Sequence, residues 1–142
     1  MKKMYLLDTN IVSEFSKAQP NEQVVSSYEN HKDLCAISAV TWQELTRGIE
    51  RLPESRKKEY LQNCLNKYEE AFEIIPYDKF SAQICGEIQA KAEKDGKTLP
   101  FYDSQIAATA IANGMVLVTH NLTDFEPMEK LAFLYVEDWF GE

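Results

Sequence analysis

The segment Met4-Tyr5-Leu6-Leu7-Asp8-Thr9-Asn10 decides the fold. Four apolar residues are too few for an amphipathic helix, and they end on an acid followed by two small polar residues that favour a helix N-terminus. The segment therefore reads as a short buried strand running into a capped helix. The same unit recurs along the chain. Residues 34–37 (Leu-Cys-Ala-Ile) form a second apolar strand, and Ser38 can cap the helix that carries Val40, Trp42, Glu44, Leu45 and Ile49. Residues 72–75, stopped by Pro76, and residues 115–118 read as third and fourth strands, with a fifth over 134–136. Helical patterns fill the gaps: about 21–30, then 54–71 opened by Pro53, then 78–95 stopped by Gly96, then 103–113, preceded by Pro100 and closed by Gly114. Short apolar strands alternating with helices specify parallel βαβ units, with helices on both faces of the sheet. The expected class is α/β, one domain over residues 1–142.

A chain of 142 residues buries enough surface for a core without disulfide or metal staples. It carries 23 Asp+Glu against 15 Lys+Arg, a net charge of −8, which argues against sequence-blind binding to nucleic acid or to anionic membranes. Hydrophobic residues make up 44%, with seven Phe and seven Tyr, which excludes a disordered acidic tail protein. Cys35, Cys64 and Cys85 are odd in number and widely spaced, as expected of thiols in a reducing compartment. No signal-peptide core follows Met1-Lys2-Lys3, and no stretch approaches the roughly 18 apolar residues of a membrane span. The expectation is a cytoplasmic protein with no membrane association.

In an open parallel sheet, functional groups collect just beyond the carboxyl ends of the strands. Asp8 follows the first strand, and Thr119-His120-Asn121 with Asp124 follows the fourth. Glu44 lies in the helix after the second strand, and Asp103 in the first turn of the helix before the fourth. With right-handed crossovers all four acids reach one rim. Singly, each has an ordinary explanation. Asp8 caps a helix, Asp103 complements a helix dipole, Glu44 is a solvated helix residue, and Asp124 forms a turn. Together, four carboxylates in one cleft repel one another unless a divalent cation compensates. Oxygen ligands without a His/Cys set select Mg²⁺ or Mn²⁺, and such ions serve phosphodiester hydrolysis.

The sequence resembles the PIN-domain ribonucleases, and among them the VapC-type toxins of toxin–antitoxin pairs. The matching segments are Leu6-Leu7-Asp8-Thr9-Asn10, Ala36-Ile37-Ser38 with Glu44-Leu45-x-x-Gly48, Pro100-x-x-Asp103-x-x-Ile106-Ala107-Ala108, and Val118-Thr119-x-Asn121-x-x-Asp124-Phe125. Their order and spacing match over nearly the whole chain. The resemblance implies a three-layer α/β/α sandwich around a mostly parallel sheet of about five strands. It implies a Mg²⁺ pocket (Mn²⁺ being the alternative) built from Asp8, Glu44, Asp103 and Asp124, the catalytic set, with Asn10, Ser38, Thr119 and Asn121 in support. Relatives can carry an acid where Asn121 stands, so here the fourth carboxylate rests on Asp124. Tyr102, beside Asp103, carries no catalytic role in this reading. The implied activity is hydrolysis of RNA, tRNA being a plausible target, with inhibition by a cognate antitoxin whose basic side chain enters the acidic pocket, and with assembly as a homodimer or a larger complex.

Residues 47–58 hold five basic residues, Arg47, Arg51, Arg56, Lys57 and Lys58, against two acids, Glu50 and Glu54. This window is either a phosphate-contacting edge or a solvated helix face with internal ion pairs; Arg47, Arg51 and His120 are the candidate RNA contacts. A housekeeping RNA-processing or DNA-cleaving PIN nuclease is the alternative within the class, and a non-catalytic PIN scaffold the alternative outside it. A phosphorylatable receiver would need an acceptor Asp ending the third strand, where Ile75-Pro76 stands, and a haloacid-dehalogenase-type phosphatase would need a second Asp at Asn10. Glu137, Asp138 and Glu142 place part of the negative charge at the C-terminus, away from the motifs.

Overall fold

Side chains alternate across a strand, so the first strand feeds two cores at once. In the computed structural model, which describes residues 2–141, β1 (Tyr5–Leu7) sends Leu6 to one side of the sheet and Leu7 to the other, both fully buried. The remaining strands are β2 (Cys35–Ser38), β3 (Glu73–Ile75), β4 (Val116–Val118) and β5 (Val136–Glu137). All neighbours pair in parallel, in the order β3-β2-β1-β4-β5. The register sets Leu6 beside Ala36 and Leu117, which share one core, while Leu7, Ile37 and Val118 share the other.

The helices α1 (Thr9–Glu14), α2 (Glu22–His31), α3 (Ala39–Glu50) and α4 (Arg56–Ala71) supply Ile11, Val12, Val24, Leu45 and Tyr68 to the Leu7 core. α5 (Lys79–Lys94), α6 (Phe101–Ala112) and α7 (Leu122–Ala132) supply Ile88, Ile106 and Phe125 to the Leu6 core. Helices therefore cover both faces, giving the expected three layers. Among the described residues no helix is long and apolar enough to cross a membrane. The three cysteines are free thiols.

Local chemistry starts most helices where the sequence suggests. Asn21, Ser38 and Asp78 accept from backbone N–H groups of the first turns of α2, α3 and α5. Three boundaries shift and one helix is new. α4 begins at Arg56, not directly after Pro53, because Ser55 is the residue whose hydroxyl accepts from Lys58 N. α6 begins at Phe101, immediately after Pro100. β5 starts two residues late, because Phe133 turns left-handed at φ 55° and Leu134 is drawn into the core. α7 is the element the sequence hides: Pro127 lies inside it, and proline ordinarily argues against a helix interior.

Two charged residues are structural. Glu14 is buried, accepts from Asn21 N at 2.9 Å and pairs with Lys17, closing the turn between α1 and α2. Lys58 is also buried, and its ammonium donates to Glu54 Oε1 at 2.9 Å and Glu50 O at 3.2 Å. That clamp removes Lys58 from the basic edge.

Candidate active site

Strand order alone selects one crevice. From β1 the chain moves outward through β2 and β3, then crosses to the opposite side of β1 for β4. The carboxyl ends of β1 and β4 thus flank the topological switch point, where open α/β sheets bind ligands. Asp8 leaves β1 there with its N–H still on the ladder, donating to Val118 O at 2.8 Å. Thr119 leaves β4 there, donating its N–H to Glu137 O at 2.9 Å.

The two strand ends are tied side chain to side chain. Thr119 Oγ1 donates to Asp8 Oδ2 at 2.7 Å, across 111 residues of sequence. Asn10 Nδ2 donates to the same oxygen at 3.2 Å, and Thr9 N donates to Asp8 Oδ1 at 2.8 Å. Asn10 Oδ1 accepts from His120 N at 3.1 Å, and Asn121 N donates to Thr119 Oγ1 at 3.0 Å. Asn10, Thr119 and Asn121 are therefore the groups that aim Asp8. Ser38 acts one step further out: its hydroxyl accepts from Thr41 N at 3.0 Å and so starts α3, the helix that carries Glu44. Thr9 is the residue the sequence reading passed over. Its hydroxyl donates to Glu44 Oε1 at 2.8 Å and lies 3.3 Å from Thr41 Oγ1, joining α1 to α3. Its presence in the Asp8-Thr9-Asn10 segment was the available signal.

Asp103, in the first turn of α6, completes the group. Its carboxyl is pushed up to about 6, first by burial and then by the charges of Asp8, Asp124 and Glu44. A hydrogen bond toward Asp124 adds to the effect by favouring the protonated form. Asp124 Oδ2 itself accepts from Asn121 Nδ2 at 2.7 Å. Asp8 is raised as well; burial and Glu44 outweigh the donors Thr119, Thr9 and Asn10. Among the described residues, no Lys, Arg or His pairs with any of these four carboxylates.

A carboxyl whose folded pKa lies above its unfolded value binds its proton more tightly in the native state, so stability falls as pH rises from about 4 to about 6 and stays low above it. Asp103→Asn cannot ionise and escapes that loss. In metal-free buffer at pH 7 the variant is expected to be about 2 kcal/mol more stable, a full linkage value discounted for partial exposure, or roughly 4–8 °C in Tm. The gain shrinks toward pH 4, and equal melting curves at pH 7 would remove the repulsion from the account.

The candidate RNA contacts separate. Arg47 and Arg51 are exposed and line a cleft of about 190 Å³ together with Glu44 and Tyr102. His120 is exposed but engaged: its Nδ1 lies 2.9 Å from Asp138 Oδ2, and its ring stacks on Phe140 with centroids 4.0 Å apart. Asp138 therefore sits beside the strand-end motif and not away from it, because β5 runs parallel to β4 and returns the tail to the same rim. Glu142 lies outside the described residues.

A divalent cation fits the donor set: hard carboxylate oxygens, uncancelled charge and neutral hydrogen-bond donors orienting Asp8, Glu44 and Asp124. Among the described residues no three His, Cys, Asp or Glu groups converge closely enough to grip one ion directly.

Comparison with known proteins identifies the family. The PIN domain family model matches residues 5–131. Toxin FitB of Neisseria gonorrhoeae is 35% identical over 137 residues, covering 92% of this chain and 96% of its own. The tRNA(fMet)-specific endonuclease VapC of Shigella flexneri is 30% identical over 135 residues, covering 95% and 97%. The crystal structure of FitAcB from Neisseria gonorrhoeae superposes with a TM-score of 0.86 at 31% identity, covering 98% of this chain and 100% of that one.

Proposed function

This chain belongs to the PIN-domain family, and within it to the VapC-type ribonucleases, and from that membership we propose that it is the toxin of a toxin–antitoxin pair, hydrolysing RNA phosphodiester bonds at a pocket formed by Asp8, Glu44, Asp103 and Asp124. One observation carries the reading. Four carboxylates border the switch point of the sheet with no ion-pair partner among the described residues, and burial, with the charges of Asp8, Asp124 and Glu44 added to it, raises Asp103 to about 6. Groups arranged against their own electrostatics signal a function that supplies the missing charge.

Asp8, Glu44, Asp103 and Asp124 would hold Mg²⁺ or Mn²⁺, and the chemistry such an ion would supply is an acidified water and compensation of charge on the departing oxygen. The protein's part is orientation. Thr9, Asn10 and Thr119 lock Asp8, the Thr9 hydroxyl holds Glu44 by Oε1, and Asn121 holds Asp124 by Oδ2. Water is the nucleophile in this reading, so no 2′-hydroxyl chemistry is needed. The similarity to the tRNA(fMet)-specific endonuclease VapC of Shigella flexneri makes tRNA the first substrate to test.

The antitoxin is the expected partner. A second cleft of about 410 Å³, lined by Leu45, Ile49, Leu61 and Tyr68, opens onto Thr9 and Glu44. A segment lying in it reaches the pocket, where an arginine would form charge-assisted hydrogen bonds with the acids. Strongly exposed Phe80, Phe133 and Tyr135 offer apolar surface for a homodimer. The cytoplasm, which holds the RNA, is the compartment this reading requires.

Expression of the chain alone is expected to arrest growth, co-expression of the antitoxin to restore it, and sequencing of RNA ends after brief expression to reveal discrete cuts absent from an Asp8→Asn control. Unaltered growth with uncut RNA would reject the toxin reading.

A further inference from the structure

Gly48 has no reason within the chain to be glycine. It lies in α3, where glycine weakens a helix relative to alanine, and its φ is not positive. A Cβ built on it would meet nothing within 4 Å. What the missing side chain leaves is open floor in the cleft of about 190 Å³ that borders Glu44. Glu44, Arg47 and Gly48 fall at i, i+3 and i+4 on one face of α3, and Arg51, its helical C-cap, extends that face at i+7. Tyr102, next to Asp103 in sequence, closes the cleft from α6 and is 38% exposed. Arg47 and Arg51 form no ion pair among the described residues.

We propose that this cleft seats one unpaired nucleotide of the RNA substrate, adjacent to the nucleotide whose phosphate enters the carboxylate pocket. Its sugar rests on the bare backbone at Gly48, its phosphate meets Arg47 and Arg51, and its base stacks on Tyr102. The assignment rests on the ribonuclease reading and specifies how that site holds its strand. Size favours a single nucleotide: the cleft is smaller than the roughly 300–1,000 Å³ of a drug-sized site and has no room for a duplex. Charge favours RNA over an apolar segment, because two guanidiniums beside an aromatic face match a phosphate and a base. They also answer a physical need, since a chain of net charge −8 with four clustered acids otherwise repels the phosphates it cuts.

The test uses a non-cleaving Asp103→Asn parent and a fluorescein-labelled single-stranded RNA of about 12 nucleotides, read by anisotropy. Added to that parent, Gly48→Ala is expected to melt at or above the parent temperature and yet bind at least about fivefold more weakly, because its methyl occupies the floor. Tyr102→Leu is expected to lose a similar factor, while Tyr102→Phe, which keeps the ring, stays within about twofold. Parent-like binding by both Gly48→Ala and Tyr102→Leu overturns the proposal. So does a Gly48→Ala variant that binds RNA normally but loses affinity for the antitoxin, which would assign the glycine to the neighbouring apolar cleft. If the wild-type chain neither binds nor cleaves RNA, the ribonuclease reading falls and takes the cleft with it. If it cleaves while the cleft variants bind as the parent does, the cleft assignment alone falls.

Discussion

Asp103→Asn and Asp8→Asn chains are each expected to cleave RNA more slowly than wild type by a factor on the order of 10³ or more, with the fold retained. The replacement keeps shape and removes one carboxylate charge. On the proposed reading it would weaken the hold on a divalent cation and the orientation of the attacking water together. The two variants differ in stability, and that difference identifies the physics. Asp103 is raised first by burial and then by the charges of three other acids, so a neutral amide there relieves both. Asp8 accepts from Thr9 N, Asn10 Nδ2 and Thr119 Oγ1. An amide there must turn its own donors toward groups that donate, so Asp8→Asn gains less in Tm than Asp103→Asn. Initial rates on an end-labelled tRNA at saturating Mg²⁺, read beside thermal melts, measure both effects. Wild-type rates in either variant would remove that residue from the catalytic set.

Phe125→Ala is expected to cost about 3–5 kcal/mol, lowering Tm by roughly 10 °C or more. Phe125 is completely buried and, with Met128, anchors α7 to the Leu6 core. α7 needs that anchor, because Pro127 removes one N–H from its ladder and weakens its intrinsic helicity. Asp124 precedes Phe125, so loosening the helix also displaces a pocket carboxylate, and cleavage is expected to fall even at temperatures where the chain remains folded. Phe133→Ala provides the contrast: that side chain is 83% exposed, and its loss is expected to change stability by no more than about 0.5 kcal/mol. Equal melting temperatures for the two alanine variants would contradict the packing assigned to α7.

Much of the site was legible because its signals are local. Asp8 ends an apolar run, Ser38 precedes a helix-period stretch, and Asp103 follows Pro100 by three residues. Each of these depends on a few neighbouring residues. The unread parts depend on distant ones. Lys58 looked like one of five basic residues on an RNA edge, and only packing shows its stem buried and its ammonium fixed to Glu50 and Glu54. Thr9 looked like a small residue in a helix start, and its hydrogen bond to Glu44 crosses 35 residues. α7 escaped because a local rule against proline competes with the burial of Phe125 and Met128, and burial prevails.

By itself the sequence determined that this chain forms short buried parallel strands joined by helices, and that acids stand where those strands end, because apolar runs, caps and turn residues act over a few positions. Only the tertiary structure decided that β4 lies beside β1. That pairing brings Thr119 onto Asp8 across 111 residues and lets α3, α6 and α7 deliver Glu44, Asp103 and Asp124 to one rim. Strand order is a contest among long-range pairings, settled by burying both faces of the sheet together, and no local pattern encodes its outcome.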